Sequence, residues 1–303
     1  MESLSKKPKT LSTWPWSLEG QSFVVTGGTK GIGLATVKAL LRHGASRIIC
    51  CSRSPMDSQL LQELQALSDT ASIHHVVCDV ATQEGRTTLV GQTQQILQGA
   101  RLQGLINNVG INIRKPMLEQ SDEEFHNILQ TNVTSTYMLC KAMYPLLVGS
   151  SSSSSKDDTS TSLTTSCIVN VSSAAGVQSS GTGIAYGMSK AAMNQLTKTL
   201  ACEWARVNIR VNAVTPWMTL TPMLQDALHN NNNNNNRDAK QQLDKVCDWT
   251  PMGRLSQPQE VAEPIVFLAT HAASSYITGQ CLGIDGGLTA QGFQGPCVSE
   301  NKE

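Results

Sequence analysis

Neither sign of charge prevails in this chain of 303 residues, because 23 lysines and arginines offset 23 aspartates and glutamates. That balance argues against a nucleic-acid or anionic-membrane partner, since both are held by basic surfaces. No apolar run approaches the ~20 residues that cross a bilayer. Nine cysteines are present, yet none forms a C-x-x-C pair and no histidines accompany them at zinc-ligand spacing. Neither a metal site nor thioredoxin chemistry is therefore indicated. Several of these cysteines sit in apolar runs, the pattern of buried, reduced thiols in a cytoplasmic protein. Residues 1–15 lack both arginine and an apolar stretch, and read as a disordered leader rather than a transit or signal peptide.

What remains is 40% hydrophobic and long enough to bury the core of a single α/β domain. Residues 22–26 (SFVVT) read as a buried strand, followed by Gly27, Gly28, Thr29, Lys30, Gly31, Ile32 and Gly33 and then a helical pattern to residue 43. A strand, a glycine-rich turn and a helix together let backbone N–H groups and a helix N-terminus face a pyrophosphate. The spacing is TGxxxGxG, which departs from the G-x-G-x-x-G of the usual dinucleotide fingerprint and is a weak signal by itself. Residues 47–51 form a second strand, and twenty residues after Gly33 stands Arg53 where an acid would accept from a ribose 2′-hydroxyl. Ser52, Arg53 and Lys30 thus favour a 2′-phosphate, and with it NADPH/NADP over NAD.

A third strand over 73–78 ends in Asp79 and Val80, placed to touch an adenine edge, and a helix follows over 82–97. A fourth strand over 102–106 ends in Asn107, Asn108, Val109 and Gly110, whose amides can satisfy a turn and line a cofactor. Ser121 to Glu124 reads as a capping box opening one helix to residue 147, with Asn132 inside it. Asn132 is either a surface amide or the holder of a water in a proton relay. Six serines, Ser150 to Ser155, belong to a flexible insertion near 149–166. A sixth strand over 210–215 leads into Pro216, Thr219 and Thr221, which should cover the nicotinamide end. A lid near 222–254 contains seven consecutive asparagines, Asn230 to Asn236. A helix over 256–271, opened by Ser256 and Gln259, and a last strand over 280–284 complete the pattern.

Between insertion and lid lies the stretch IVNVSSAAGVQSSGTGIAYGMSK, residues 168–190. Its apolar start suits a fifth strand, from whose carboxyl end Ser173 emerges, where open α/β sheets place ligands. Residues 185–204 read as a helix on which Tyr186 and Lys190, four apart, share a face. A free phenol has a pKa near 10, and a neighbouring ammonium favours its ionised form. Such a pair beside a serine hydroxyl suits proton exchange with an alcohol or carbonyl oxygen. A lone Tyr-x-x-x-Lys is an ordinary surface pair; Ser173 and the glycine turn give it a catalytic reading.

In this arrangement the chain resembles the short-chain dehydrogenase/reductase family, and within it the tropinone-reductase-like branch. The family's marks are TGGTKGIG (26–33), CDV (78–80), NNVG (107–110), Asn132, Ser173 and Tyr186-GMS-Lys190; WSLEG (16–20), CSR (51–53), TPMGR (250–254) and SYITGQ (275–280) point to the branch. The resemblance implies a doubly wound Rossmann fold, with a seven-stranded parallel sheet between helix layers in one domain spanning 16–293, before a tail over 294–303. It also implies Tyr186 as acid/base, Ser173 as carbonyl anchor, Lys190 as pKa tuner and ribose ligand, and Asn132 as holder of a relay water. A homodimer or homotetramer is implied too, joined through the helices over 121–147 and 185–204. The expected reaction is reduction of a small or medium apolar ketone to an alcohol. A 3-oxoacyl-thioester reductase and a non-catalytic NADP-binding sensor are the alternatives. Val109, Trp217 and the Asn-rich lid depart from the family pattern. Trp217, a large indole after Pro216, is placed to reshape substrate access or stack on the nicotinamide.

Overall fold

The computed structural model describes residues 16–149, 165–224 and 236–291. The expected leader, most of the serine-rich insertion and the C-terminal tail lie outside the described residues. So does the asparagine run, apart from Asn236.

Seven parallel strands form one sheet: β1 (Ser22–Thr26), β2 (Arg47–Ser52), β3 (Ser72–Val77), β4 (Gly104–Asn107), β5 (Ser166–Val171), β6 (Ile209–Pro216) and β7 (Cys281–Ile284). Their order is β3-β2-β1-β4-β5-β6-β7. The central strands read as continuous apolar runs because both of their faces are covered. β1, β4, β5 and β6 are accordingly buried along their whole length. Successive side chains alternate between two cores. Phe23, Val25 and Cys50 enter one, with α1 (Gly31–Arg42) and the later helix α8 (Pro258–Ala269). Val24, Ile49 and Cys51 enter the other, with α3 (Gln83–Leu97), α5 (Ser135–Val148) and α6 (Ile184–Trp204). Each fully buried Leu, Ile or Phe contributes about 1.5–3 kcal/mol. The sheet is therefore a rigid base for whatever its loops hold.

Strand order reverses between β1 and β4, so the loops leaving their carboxyl ends part and leave a crevice. Several boundaries differ from the sequence reading for local reasons. α2 (Ser58–Gln65), which the periodicity did not reveal, starts where the Asp57 carboxylate accepts from Gln59 N–H at 2.8 Å. Its exposed, polar face carries little pattern. The capping box at Ser121 and Glu124 is present, but the helix behind it is not continuous. α4 (Asp122–Leu129) passes through a π-helical turn (Gln130–Thr134) into α5. The helix α8 opens at Pro258, with Gln257 and Glu260 as its capping box, rather than at Ser256. A proline suits the first helical position, where no N–H is needed. Part of the expected lid is the helix α7 (Asn236–Trp249), and a short α9 (His271–Ser274) precedes β7.

Candidate active site

β5 delivers Ser173 to the sheet's carboxyl edge, where it caps a short 3-10 turn (Ala174–Gly176). Its Oγ accepts from Ala175 N–H at 3.2 Å and donates to the Pro216 carbonyl at 3.4 Å, so the hydroxyl is held between the ends of β5 and β6. The same turn meets α6 backbone to backbone. A Cβ on Gly176 would lie 2.5 Å from the carbonyl carbon of Lys190, so only glycine permits this approach. Ser172 reinforces the contact by donating to the Lys190 carbonyl at 3.0 Å. This packing brings the Ser173 hydroxyl beside the Tyr186 phenol.

Lys190 is 3% exposed. Its ammonium donates to the Val171 carbonyl at 2.8 Å and sits 5.6 Å from the centre of the Tyr186 ring. Burial lowers Lys190 from its ordinary value to about 8. Burial also pushes the Tyr186 phenol up, and the Ser173 hydroxyl opposes that rise. The expected lowering of the phenol by Lys190 is thus not what dominates: the ammonium faces the ring and a carbonyl, while the serine acts on the hydroxyl.

Asn132 is fully buried in the π-helical turn, a feature that recurs at functional sites. Its Oδ1 accepts from Ile111 N–H at 2.8 Å, and its Nδ2 donates to the Ile111 carbonyl at 3.0 Å and to Ser189 Oγ at 2.9 Å. Ser189 in turn donates to the Tyr186 carbonyl at 2.7 Å. Asn132 is therefore not a surface amide. A Cβ added to Gly110 would lie 3.3 Å from Lys190 Nζ and 3.4 Å from Asn132 Oδ1, which places all three residues at one spot.

The glycine turn lies across the crevice and fits a dinucleotide. Gly27 and Gly31 have φ of 67° and 56°, a region that favours glycine, and a Cβ on Gly33 would fall 2.1 Å from the Gly27 carbonyl oxygen. The N-terminus of α1 carries no side-chain cap at Lys30, so its first N–H groups face the turn. The turn is held by Thr26 and by Asn108, whose amide the sequence reading placed to satisfy a turn. Thr26 Oγ1 accepts from the N–H groups of Asn108 and Val109 at 2.9 and 3.1 Å, and Asn108 Nδ2 donates to the Thr26 carbonyl at 2.9 Å. The only hint in the sequence was a pair of asparagines at a strand end.

Thr221 lies over this turn, its methyl 3.4 Å from where a Gly31 Cβ would be. Thr29 and Ile32 are half-buried and Lys30 is exposed. At the end of β2, Ser52 Oγ donates to the Ser54 carbonyl at 2.8 Å and meets His75 Nε2 at 2.7 Å, and Arg53 is exposed beside it. Asp79 Oδ1 accepts from Ala81 N–H at 2.9 Å. Val80 is buried in the core, with its carbonyl taken by Arg86 at 2.9 Å. The Asn107 amide turns inward to Asn170 Oδ1 at 2.9 Å. Pro216 ends β6, and Thr219 Oγ1 meets Ser256 Oγ at 2.8 Å, tying that strand end to the start of the segment before α8.

Trp217 does not lie open beside the site. Its indole is buried with Ala174 and Leu288, and Nε1 donates to Thr250 Oγ1 at 3.1 Å. It thereby braces the end of α7 against the loop that carries Ser173. Among the described residues, no three His, Cys, Asp or Glu side chains are grouped to hold a metal ion, and no helix is long and apolar enough to cross a membrane.

A sheet crevice with a glycine cradle on one side and Ser173, Tyr186 and Lys190 on the other is the layout of a dinucleotide-dependent oxidoreductase. Residues 27–289 match the family model described as enoyl-(acyl carrier protein) reductase. The chain belongs to the short-chain dehydrogenase/reductase family, whose members use nicotinamide cofactors and small-molecule substrates. Two tropinone reductase homologs from Arabidopsis thaliana place it in that branch. One is 39% identical over 283 residues, covering 92% of this chain and 96% of its own. The other is 41% identical over 298 residues, covering 97% and 98%. Among solved structures, L-sorbose reductase from Gluconobacter frateurii, complexed with NADPH and L-sorbose, superposes with a TM-score of 0.78 at 27% identity, covering 92% of this chain and 100% of that one.

Proposed function

We propose that this protein reduces a small or medium apolar ketone to a secondary alcohol with NADPH, Tyr186 supplying the proton. The observation that carries this reading is the convergence of Ser173 and Tyr186 at the carboxyl edge of the sheet, where the serine acts on the phenol, with the buried Lys190 ammonium against the ring. When bound, the nicotinamide supplies a hydride. Ser173 and Tyr186 present two hydroxyls to one carbonyl oxygen, and Tyr186 releases its proton as charge develops there. Lys190 fixes the ring and offers N–H groups to a ribose. Asn132 holds the loop at Ile111 and positions a relay water near Lys190.

The remaining roles follow the crevice. Gly27, Thr29, Gly31, Ile32, Gly33 and Thr221 enclose the pyrophosphate, while Asp79, Val80, Asn107 and Gly110 line the adenosine side and the floor. Pro216 and Thr219 border the nicotinamide. Arg53 and Lys30 are exposed, and their side chains have no ion pair or hydrogen bond among the described residues, so both are available to a 2′-phosphate.

An apolar substrate is supported by exposed apolar side chains on the segments that lead to Tyr186 and surround Thr221: Val177, Ile184, Leu220 and Met223. Exposed Tyr137 and Met138 on α5, with Met188 on α6, suit the two helices to pairing in a homodimer or homotetramer. All eight described cysteines are free, as a reducing, cytoplasmic setting would have them. One relative, 40% identical over 282 residues, is named as chloroplastic.

The second reading is reduction of a 3-oxoacyl thioester, in keeping with the acyl-carrier-protein substrate class in the family model's description. One panel separates the two: apolar ketones, tropinone and 3-oxoacyl thioesters, each with NADPH, followed at the nicotinamide absorbance. Turnover of ketones but not thioesters supports the first reading. Thioester turnover alone supports the second, and no turnover at all would leave only a binding protein.

A further inference from the structure

Two thiols meet behind the adenosine end of the crevice. β2 and β3 run parallel, with Cys51 opposite Val76 and Ser52 opposite Val77, and Cys78 continues β3, its N–H donating to the Ser52 carbonyl at 3.0 Å. Alternate strand residues share a face. Cys78 therefore lies on the face of Val76 and Cys51, whereas Cys50 points into the opposite core. Cys51 and Cys78 are thus diagonal neighbours on one face of two paired strands.

Their surroundings are unequal. Cys51 is 1% exposed and Cys78 is half-buried, so an external reagent reaches Cys78 first. The neighbouring Cys51 thiol holds the Cys78 thiol below its ordinary value, against burial and the Asp79 carboxylate. Its Cys78 neighbour and burial hold Cys51 well up. Burial pushes Cys50 and Cys140 up to about 12 and Cys167 to about 11, which leaves these core thiols inert. Among the described cysteines, Cys78 thus combines access, a partner that favours the thiolate, and a second thiol in reach.

We propose that Cys78 and Cys51 form a hydroperoxide-sensitive pair whose disulfide disables the adenosine end of the dinucleotide site. This rests on the dinucleotide reading given above. The Cys78 thiolate attacks one peroxide oxygen; an S–O bond forms, the O–O bond breaks, and the departing hydroxide takes a proton to become water. Cys51 sulfur then attacks Cys78 sulfur. The S–S bond forms, the S–O bond breaks, and hydroxide leaves with the Cys51 proton as a second water. Both cysteines are oxidised and the peroxide is reduced.

The disulfide would act through two connections. A disulfide holds its Cα atoms within about 4.4–6.8 Å, so closing it draws together the strand ends that lead into Ser52 and Arg53 and into Asp79 and Val80. The Cys51 carbonyl also accepts from Gly27 and Gly28 N–H at 2.9 and 3.3 Å, so displacement of β2 reaches the glycine cradle.

The test uses the full-length chain, reduced and then exposed to hydrogen peroxide with and without NADPH. Peptide mass mapping reads the cross-link and NADPH fluorescence reads affinity. The proposal predicts a Cys51–Cys78 linkage lighter by two hydrogens, suppressed when NADPH is already bound. It also predicts an affinity loss of at least about tenfold, reversed by dithiothreitol. Cys78→Ser and Cys51→Ser should each remove the peroxide-dependent loss, judged against the same variant untreated. Reduced Cys51 and Cys78 after peroxide, or a complete cross-link with affinity changed by less than about twofold, overturns it. If the reduced protein binds no NADPH, the dinucleotide reading fails and takes the functional half of the proposal with it; mass mapping still decides the chemical half.

Discussion

The Lys190 ammonium donates to the Val171 carbonyl at 2.8 Å while sitting 5.6 Å from the centre of the Tyr186 ring. One buried cation thus joins the end of β5 to the face of the Tyr186 ring. Its burial has a measurable consequence. Lys190 falls from 10.5 to about 8, so between those values the unfolded chain binds more protons than the folded one. Stability from this group therefore rises as pH climbs through that window and is flat below it. Urea unfolding of the wild type and Lys190→Met should show the wild type gaining on the variant from pH 8 to pH 10.5. A constant difference across the window would contradict the burial.

The proposed role of Arg53 and Lys30 is to set the cofactor preference. Charge-assisted hydrogen bonds contribute about 1.5–3 kcal/mol each, so kcat/KM should favour NADPH over NADH by at least about tenfold. Arg53→Ala should lower the NADPH value by a similar factor and leave the NADH value nearly unchanged. Equal kcat/KM for the two cofactors in the wild type would refute this.

Asn132 makes three hydrogen bonds, at 2.8, 3.0 and 2.9 Å, that pin the loop at Ile111 and Ser189 on α6. Asn132→Ala leaves the buried Ser189 hydroxyl and the half-buried Ile111 backbone without this partner, and each buried group left unsatisfied costs about 1–3 kcal/mol. Urea unfolding should show a loss of about 2–4 kcal/mol, with reduced turnover. A loss below about 0.5 kcal/mol, the usual surface value, would contradict the role.

The sheet was legible because central parallel strands are rich in apolar, β-branched residues, as SFVVT is, and because glycine is forced where Gly33 passes the Gly27 carbonyl. What could not be read was geometry set by contacts distant in sequence. The π-helical turn at Asn132 depends on Ile111, twenty-one residues away. Trp217 read as a residue open to the nicotinamide, yet its indole turns to Thr250, thirty-three residues on. The Tyr186 phenol offered the clearest lesson. Helical spacing put a charge near it, but burial and Ser173 decide its pKa, and neither can be counted from spacing.

The most direct test of the account is the turnover of Tyr186→Phe with NADPH and a ketone that the wild type reduces. Phenylalanine keeps the ring on Lys190 and removes only the hydroxyl that meets Ser173. General acid/base groups contribute about 10²–10⁴ in rate, so kcat should fall by at least the lower figure while NADPH affinity stays within about twofold. A kcat within about twofold of the wild type would mean that Tyr186 exchanges no proton, contradicting the assignment of the whole site.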